Sequence, residues 1–351
     1  MGERLLEKER GGLDGAGLSL PACSVIAVNW NGWHHLDACL DALRRQTFTD
    51  FEVVLVDNGS VDGSVDHVRR HHPWVEIVAL PDNRGFCGGS NEGIRRSRGR
   101  YVALLNNDTE ADPDWLAELV AALERQQAGF CASQIRLFDE RNVLDSAGDV
   151  FAVNGVAAKR GHLEDASRYA EPGEVFGACA AAALYRRSML EEIGLLDEDF
   201  FLVFEDADLS FRARIAGYRC AYVPTARVYH KTNASIGTYS HAYVYYGQRN
   251  LELAYLKNMP LPLLVKYLPV HLVYDLLALA FFAARGRLWS FLRAKVSAVR
   301  CLPATLRKRR KVQARRVVPS RHIDGLLERR WLSRRWVEKG PGRWRRSTLG
   351  R

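Results

Sequence analysis

Four clusters rich in asparagine, aspartate and glycine recur in the first third of the chain, each directly after an apolar run. They read NWNG, DNGSVDGS, PDNRG and NNDTEADP. Side chains of these types form turns, which is the simpler interpretation of any single residue. They also offer amide and carboxylate groups to a polar ligand. Because the clusters repeat at equivalent positions, we expect them to line one crevice. The residues concerned are Asn29, Asn31, Asp57, Asn58, Asn83, Asn106 and Asp108.

The apolar runs and the segments between them predict the elements that carry this crevice. β-Branched runs occupy Ser24–Val28, Phe51–Val56, Val75–Leu80 and Tyr101–Leu105. Stretches of helical period lie between them, around Leu36–Arg44, Val65–His71 and Asn91–Ser97. Strand, polar loop and helix in repeated order predict an α/β fold with a mostly parallel central sheet. In such sheets ligands bind beyond the carboxyl ends of the strands, where the clusters lie.

Missing motifs argue against several classes of ligand and site. G-x-G-x-x-G does not follow the first strand, which weakens the interpretation as a dinucleotide-binding protein. G-x-x-x-x-G-K-[ST] is absent, which argues against a Walker-type ATPase. The pairs His34–His35 and His71–His72 lack the H-E-x-x-H frame of a zinc protease. We expect these histidines at solvated helix or turn positions.

Composition and charge divide the chain into an acidic body and a basic tail. The 351 residues are 47% hydrophobic and 26% charged, which excludes a wholly disordered or fibrous protein. From Arg285 to Arg351 there are 22 basic and 3 acidic residues, a net charge of +19, so the net +9 of the whole chain leaves −10 for Met1–Ala284. The tail suits a polyanion such as an anionic membrane. No nucleic-acid motif is present, and we predict no nucleic-acid partner.

The cysteines and the first residues predict a reducing, cytoplasmic compartment. Seven cysteines form no C-x-x-C pair and several lie in apolar runs, which favours buried free thiols. Residues 1–20 mix acids, bases and glycines without an apolar segment, so we expect a flexible arm and no signal peptide.

Seven ordered motifs resemble family-two glycosyltransferases of the GT-A fold, in particular the rhamnosyltransferase-like branch. They are SVIAVNWNG, FEVVLVDNGSVDGS, LPDNRGFCGGSNEGI, YVALLNNDT, FGACAAAALYRRSML, LLDEDFFLVFEDADLSFRARIAGYRC and ARVYHKTNASIG. The resemblance covers about Pro21 to Tyr255. It implies a GT-A domain over 21–255, with a nucleotide-binding half at about 21–110 and an acceptor half at about 111–255.

The resemblance also implies roles on the donor side. Asn106-Asn107-Asp108 stands where the family has a DXD-like triplet that binds a divalent cation, Mg²⁺ or Mn²⁺, on the donor diphosphate. Only Asp108 carries a full charge, and His230 matches a further metal contact. Nucleotide-sugar contacts are implied for two groups of residues. Those of the strand-end loops are Asn29, Asn31, Asp57, Asn58, Asn83, Gly85, Asn91 and Asn107, and those near the sugar are Gly177 and Ala178.

On the acceptor side, the resemblance implies that Asp206 is the general base of an inverting transfer. Glu205 and Asp208 flank it, as acceptor-side residues or only as acids that cap a helix and complement its dipole. That helix is predicted to run from Glu205 to a glycine cap at Gly217.

The C-terminal third is predicted to associate with a membrane. Residues 256–310 read as an apolar or amphipathic helical extension and 311–351 as a basic tail rich in tryptophan and arginine. Lys266, His271 and Asp275 interrupt the apolar stretch 261–284, which favours an interfacial or packed hairpin over a spanning helix. Tryptophan among arginines is typical of a membrane-surface segment. The tryptophans are Trp289, Trp331, Trp336 and Trp344.

These observations predict an inverting, metal-dependent glycosyltransferase that is peripheral on the cytoplasmic side of the cell membrane. The donor would be dTDP-rhamnose or a UDP-sugar, and the acceptor a lipid-linked or cell-envelope glycan. A sugar-1-phosphate nucleotidyltransferase is an alternative, but VNWNGWHH lacks the glycine-rich basic loop of that class. A membrane adaptor with a decayed sugar-nucleotide site is a further alternative. It is disfavoured because the chain retains Asp57, Asp108, Asp206 and His230.

Overall fold

The computed structural model describes residues 20–232 and 240–329. The predicted arm therefore lies outside the described residues except for Leu20. The end of the basic tail, with Trp331, Trp336 and Trp344, lies outside them as well.

The first half is the predicted alternation of parallel strands and helices. The strands are β1 Cys23–Asn29, β2 Phe51–Asp57, β3 Glu76–Ala79 and β4 Tyr101–Asn106. The helices are α1 Trp33–Arg44, α2 Ser64–His71 and α3 Gly85–Arg96. The strands pair in the order β3-β2-β1-β4, all parallel, so their carboxyl ends meet at one edge. The largest difference from the predicted bounds is in α3, which begins at Gly85 and not at Asn91. Its first turns, GFCGGS, have the composition of a loop, so the sequence pattern did not indicate a helix there.

The second half extends the same sheet with strands of both directions. Its elements are β5 Thr109–Ala111, α4 Trp115–Arg125, β6 Phe130–Leu137, β7 Leu144–Ser146, β8 Asp149–Phe151, β9 Ala157–Lys159, β10 Gly173–Val175, β11 Ala182–Arg186, α5 Arg187–Ile193, α6 Glu205–Ile215 and β12 Cys220–His230. The order continues β4-β11-β6-β12-β10, with β11 antiparallel to β4 and β6, and β12 parallel to β6. The predicted α/β fold with a mostly parallel central sheet is confirmed.

Apolar layers cover both faces of this sheet, as the near-continuous apolar strands require. Alternate strand residues enter opposite layers: Ile26 and Val54 join the core beneath α3 and α6, whereas Val25 and Val53 join the core beneath α1 and α4. Packing in these two apolar layers fixes the positions of the strands. The polar residues that follow each strand remain outside the layers, at the edge where the carboxyl ends meet.

Four helices follow the sheet: α7 His241–Asn258, α8 Leu261–Ala284, α9 Leu288–Ala314 and α10 Ser320–Leu326. Helix α7 packs along α9 and contacts α6. It is continuous through the boundary predicted at 255–256, and α9 runs through the one predicted at 310–311. By length and composition α8 could cross a membrane, and it is the single such helix in the part of the chain that the structure describes. Only 22% of its most apolar stretch is buried.

Candidate functional site

The ends of β1, β2 and β4 bring three predicted site residues into direct contact. The Asn29 side chain is buried; its Nδ2 donates to Asp57 Oδ1 at 3.1 Å, and its Oδ1 accepts from Asn107 Nδ2 at 2.8 Å. This follows from the parallel register, which pairs Asn29 with Asp57 and Val28 with Asn106. The strand-end residues therefore form one continuous polar edge.

A second group of amides fixes the adjoining loop. Asn58 Nδ2 donates to Asn83 Oδ1 and to the Gly85 carbonyl, both at 3.0 Å. Gly85 has φ +70°, and a Cβ there would lie 2.4 Å from the Phe201 carbonyl oxygen. Only glycine allows this approach of the loop to the segment before α6. Asn31, also at positive φ, accepts at Oδ1 from a backbone N–H of the neighbouring loop at 2.8 Å.

Asn91 does not belong to this loop, contrary to the prediction. It lies buried inside α3, where its Nδ2 donates to the Leu196 carbonyl at 2.8 Å and its Oδ1 accepts from the Leu196 N–H at 3.0 Å. Its amide also contacts Glu198. Because these bonds occupy both ends of the amide, Asn91 joins α3 to the segment before α6 and is not a nucleotide contact.

The predicted metal residues meet where β4 and β12 end. Asp108 Oδ1 lies 3.2 Å from His230 Nε2, and Asn106 Nδ2 lies 3.4 Å from the same nitrogen. Asp108 and His230 are both buried. Burial alone would raise the pKa of Asp108, but the hydrogen bond with His230 lowers it below its usual value. The carboxylate is therefore ionised at neutral pH.

Asp145 in β7 orients this histidine. His230 Nδ1 lies 2.9 Å from Asp145 Oδ2, and Lys159 Nζ contacts the same carboxylate at 2.7 Å. Burial alone would lower the pKa of His230, but its hydrogen bonds with Asp108 and Asp145 raise it to about 9, so both ring nitrogens carry protons at neutral pH. If a divalent cation took the place of the Nε2 proton, Nε2 and the Asp108 carboxylate would both be ligand atoms, and a carboxylate behind a ligating histidine is a common arrangement in metal sites. The residues present thus fit a divalent cation. Neither Asp145 nor Lys159 was predicted.

Helix α6 presents Asp206 to the site. Ten of its eleven residues are buried, and Asp206 alone is partly exposed. Asp206 Oδ2 accepts from the Ala180 N–H at 3.3 Å and Oδ1 from the Ala207 N–H at 2.7 Å. Burial raises its pKa above the usual value. The helix ends before Gly217 at φ +86°, as predicted.

The other two acids of this motif occupy different environments. Asp208 is fully buried; it pairs with Arg212 Nε at 2.9 Å, Lys257 Nζ at 2.7 Å and Asn258 Nδ2 at 2.7 Å. These three partners surround its carboxylate, so its prediction as an acceptor-side residue is wrong, and it holds α6 against α7. Glu205 is also buried, and burial followed by the charge of Asp206 raises its pKa to about 8.

A buried carboxyl that was not predicted lies beside Asp206. Ligand atoms of Asp149, Cys179 and Asp206 all lie within 4.8 Å of one another. Burial, and then the charge of Asp206, raises the pKa of Asp149 well above its usual range, which favours the neutral form of this side chain. The predicted pair Gly177 and Ala178 lies against α6: a Cβ on Gly177 would lie 2.5 Å from the Ser210 Oγ. This packing positions the Ala180 N–H that Asp206 accepts from.

One of the four adjacent histidines is not solvated as expected. His72 is buried, and its Nε2 lies 2.8 Å from Asp37 Oδ1. The same oxygen contacts His67 Nε2 at 2.7 Å. These contacts join α2 to α1 on the outer face of the sheet.

The chain matches the sequence model of Glycosyl transferase family 2 over residues 24–194. This range holds the polar strand ends and the Asn106–Asp108 triplet, and it ends before α6.

Two relatives match the chain over a longer stretch. An N-acetylglucosaminyl-diphospho-decaprenol L-rhamnosyltransferase of Mycobacterium tuberculosis is 30% identical over 242 residues, 61% of this chain and 77% of that protein. A protein of Sinorhizobium fredii that has no assigned activity is 32% identical over 236 residues, 62% of this chain. The match covers only 25% of the Sinorhizobium protein's length.

Solved structures support the fold. A crystal structure of GalNAc-T7 with UDP, GalNAc and Mn²⁺ superposes with a TM-score of 0.55 at 18% identity, over 68% of this chain and 48% of that one. At this identity the likeness concerns the fold, which is GT-A.

Proposed function

This chain belongs to glycosyltransferase family 2, and from that premise we propose that it transfers a sugar from a nucleotide-diphosphate donor to an acceptor hydroxyl with inversion. One observation carries the proposal. The segment Ala180–Ala181 joins the two predicted centres: the Ala180 N–H donates to Asp206, and the Ala181 carbonyl accepts from the Asn106 N–H at 2.9 Å. The acid that reaches the surface and the metal triplet therefore lie beside the same short segment.

In this proposal Asp206 is the general base. It removes the proton of the acceptor hydroxyl while that oxygen bonds to the anomeric carbon and the bond from this carbon to the diphosphate breaks. Inversion needs one such carboxylate on the acceptor side. The raised pKa of Asp206 makes it a better proton acceptor than an ordinary aspartate once it is ionised.

The donor would lie along the strand-end edge. Asp57, Asn29 and Asn31 would bind its base and ribose, and Asn58, Asn83, Gly85 and Asn107 would line its phosphates and sugar. Asp108 and His230, with Asn106 beside them, would hold Mg²⁺ or Mn²⁺. A bound cation would neutralise the charge on the departing diphosphate. Asp145 keeps His230 in the orientation that this role needs.

For substrates we propose dTDP-rhamnose, or else a UDP-sugar, and a lipid-linked or cell-envelope glycan acceptor. The support is the name of the Mycobacterium tuberculosis relative, which is a rhamnosyltransferase acting on a decaprenol-linked sugar. A lipid-linked acceptor lies in the membrane, and we place this enzyme at the cytoplasmic face. All seven cysteines are free, as suits a reducing compartment.

The proposal is tested by turnover of dTDP-rhamnose, UDP-N-acetylglucosamine and GDP-mannose with a polyprenyl-diphosphate-linked acceptor, with Mn²⁺ and with EDTA. We expect transfer from one donor, its loss in EDTA, and its loss in Asp206→Asn. Asp66→Asn, an exposed acid on α2, serves as the matched control and should keep full turnover. Transfer unaffected by EDTA would overturn the metal role. Release of diphosphate from a nucleoside triphosphate and a sugar phosphate would instead identify a nucleotidyltransferase.

A further inference from the structure

Helix α8 pairs its ionisable side chains with neighbouring elements. His271 is buried, with Nδ1 2.8 Å from a carbonyl oxygen of the sheet domain and Nε2 3.0 Å from Glu252 of α7. Asp275 accepts from Lys295 of α9 at 2.7 Å. Lys266 contacts a carboxylate of α10 at 2.7 Å, and its side chain is half exposed. The interior therefore satisfies His271 and Asp275, and Lys266 is paired at the surface.

The outward side of α8 is apolar along its whole length. Because α8 has 24 residues, this side is about 36 Å long. Five of its exposed apolar residues recur three or four positions apart and thus share one face. They are Leu261, Val265, Leu268, Leu272 and Leu276. Val273 and Leu277 are also exposed and widen this face to one side. A continuous exposed apolar face of this length marks contact with a partner and not with water.

Helix α9 adds a second outward row, in which apolar and basic residues lie together. Its exposed apolar residues are Trp289, Leu292, Val296, Val299 and Leu306. Arg293, Arg300 and Arg307 are exposed as well and recur every seven residues, so they form a line beside the apolar ones. Trp289 is 71% exposed. We name these two rows together the α8–α9 surface.

We propose that the α8–α9 surface binds an anionic lipid bilayer, with α8 lying in the plane of the membrane and not across it. Apolar side chains would enter the acyl boundary while Trp289 and the arginine line remain at the headgroups, as in interfacial helices. The proposal goes beyond glycosyl transfer, because it rests on the C-terminal helices alone.

Two other occupants fit the α8–α9 surface less well. A spanning α8 would carry Glu252, Lys295 and the sheet domain bonded to His271 into the hydrocarbon, where charged groups are costly. A second copy of this chain, related by a two-fold axis, would bring two lines of arginine into one interface. Anionic headgroups supply the opposite charge instead.

The test is flotation of the purified full chain with phosphatidylcholine vesicles and with vesicles that also contain phosphatidylglycerol. We expect binding to the anionic vesicles. The double variant Val265→Glu/Leu276→Glu should lower the partition coefficient on the order of a hundredfold or more, because two aliphatic anchors are lost. Its matched control is Leu20→Glu/Val317→Glu, which makes the same charge change at equally exposed apolar residues elsewhere (68% and 71%, against 64% and 67%) and should bind nearly as the unaltered chain does.

A second arm tests the basic line. Replacing Arg293, Arg300 and Arg307 by glutamine should weaken binding to anionic vesicles about tenfold to a hundredfold and leave the weak binding to neutral vesicles unchanged. Thermal stability of each variant, measured with a nucleoside diphosphate and Mn²⁺, shows that the fold is intact.

Several results would overturn the proposal. Unchanged flotation of Val265→Glu/Leu276→Glu would place the docking site elsewhere in the chain. Equal binding to both vesicle types would show that the surface does not recognise anionic lipid. Resistance of the membrane-bound protein to alkaline carbonate extraction would show that α8 spans. A dimer in solution that this double variant breaks, without vesicle binding by the unaltered chain, would make the surface a contact between copies.

Discussion

Replacing Asp206 by asparagine should remove activity and cost little stability. The side chain is partly exposed on an otherwise buried helix, and burial raises its pKa, so its charge opposes folding. Asparagine keeps the shape and relieves this charge, but its one oxygen can accept from only one of the Ala180 and Ala207 N–H groups, and it accepts no proton. We therefore expect turnover to fall by about 10²–10⁴, donor affinity to change little, and the free energy of unfolding at pH 7 to change by no more than about 1 kcal/mol.

The size of the expected pH effect on stability in this region can be worked out from Glu205. Its pKa rises from 4.5 to about 8 through burial and the charge of Asp206. Because the folded state binds the proton more tightly, the free energy of unfolding should fall as the pH rises between these two values. The slope from this one group is at most about 1.4 kcal/mol per pH unit. Glu205→Gln resembles the protonated carboxyl and ionises in neither state, so it should not share this loss. The variant should therefore become the more stable protein as the pH rises from 5 toward 8, with a constant difference above pH 8.

The assay combines turnover at saturating substrates with urea denaturation from pH 5 to pH 9, for both variants and for the exposed control Asp66→Asn. Two results would refute the reasoning. An active Asp206→Asn would mean that another group is the base, and a dead Glu205→Gln would identify that group. A Glu205→Gln protein with the same dependence of stability on pH as the unaltered chain would show that Glu205 ionises normally.

Three further predictions concern neighbouring residues. Asp208→Asn should destabilise the fold by about 3–5 kcal/mol in urea denaturation, because it leaves the buried Arg212 without a carboxylate, although Lys257 keeps Asp197; turnover per folded molecule should persist, and a stable but inactive variant would contradict this. Asp145→Asn should weaken Mn²⁺-dependent binding of the nucleoside diphosphate about 10–100-fold by calorimetry, since it no longer orients His230; unchanged affinity would remove Asp145 from the site. Gly85→Ala should lower the melting temperature and raise the KM for the donor, because its Cβ meets the Phe201 carbonyl at a positive φ; a wild-type KM would show that this loop does not bind the donor.

The strand-end edge was predictable because it depends on short-range patterns. Apolar runs of strand length, each followed by Asx and glycine, set both the parallel sheet and the edge at which Asn29, Asp57 and Asn107 meet. The same kind of pattern predicted the wrong position for Asn91, which it placed in a strand-end loop. Its glycine-rich surroundings have a loop composition, but the buried face of α3 and its bonds to Leu196 hold that segment helical.

The residues that surround Asp108 and His230 were not predictable from local pattern. Asp145, Asp149 and Lys159 lie in strands of three residues each, too short for any period to show in the sequence. They reach the site only through tertiary pairing: the register of β8 with β9 places Asp149 opposite Lys159, and Lys159 in turn contacts Asp145. Their sole sequence signal is a set of charged residues in an otherwise apolar region.

The spacing of the three acids in α6 carries structural information beyond the match to a family motif. An α-helix turns about 100° per residue, so Asp206 and Asp208 point about 160° apart and cannot serve the same site, whereas Glu205 and Asp208 share a face. Once the helix starts at Glu205, only one of the two faces can meet the crevice. Phe211 and Ile215, three and seven positions after Asp208, are apolar, which indicates that the face of Asp208 is buried. Arg212 and Lys257 supply the cations that a buried carboxylate needs. The spacing within FEDAD therefore separates one solvent-reaching carboxylate from two interior ones, and the solvent-reaching one is Asp206, for which the family resemblance predicts the role of base.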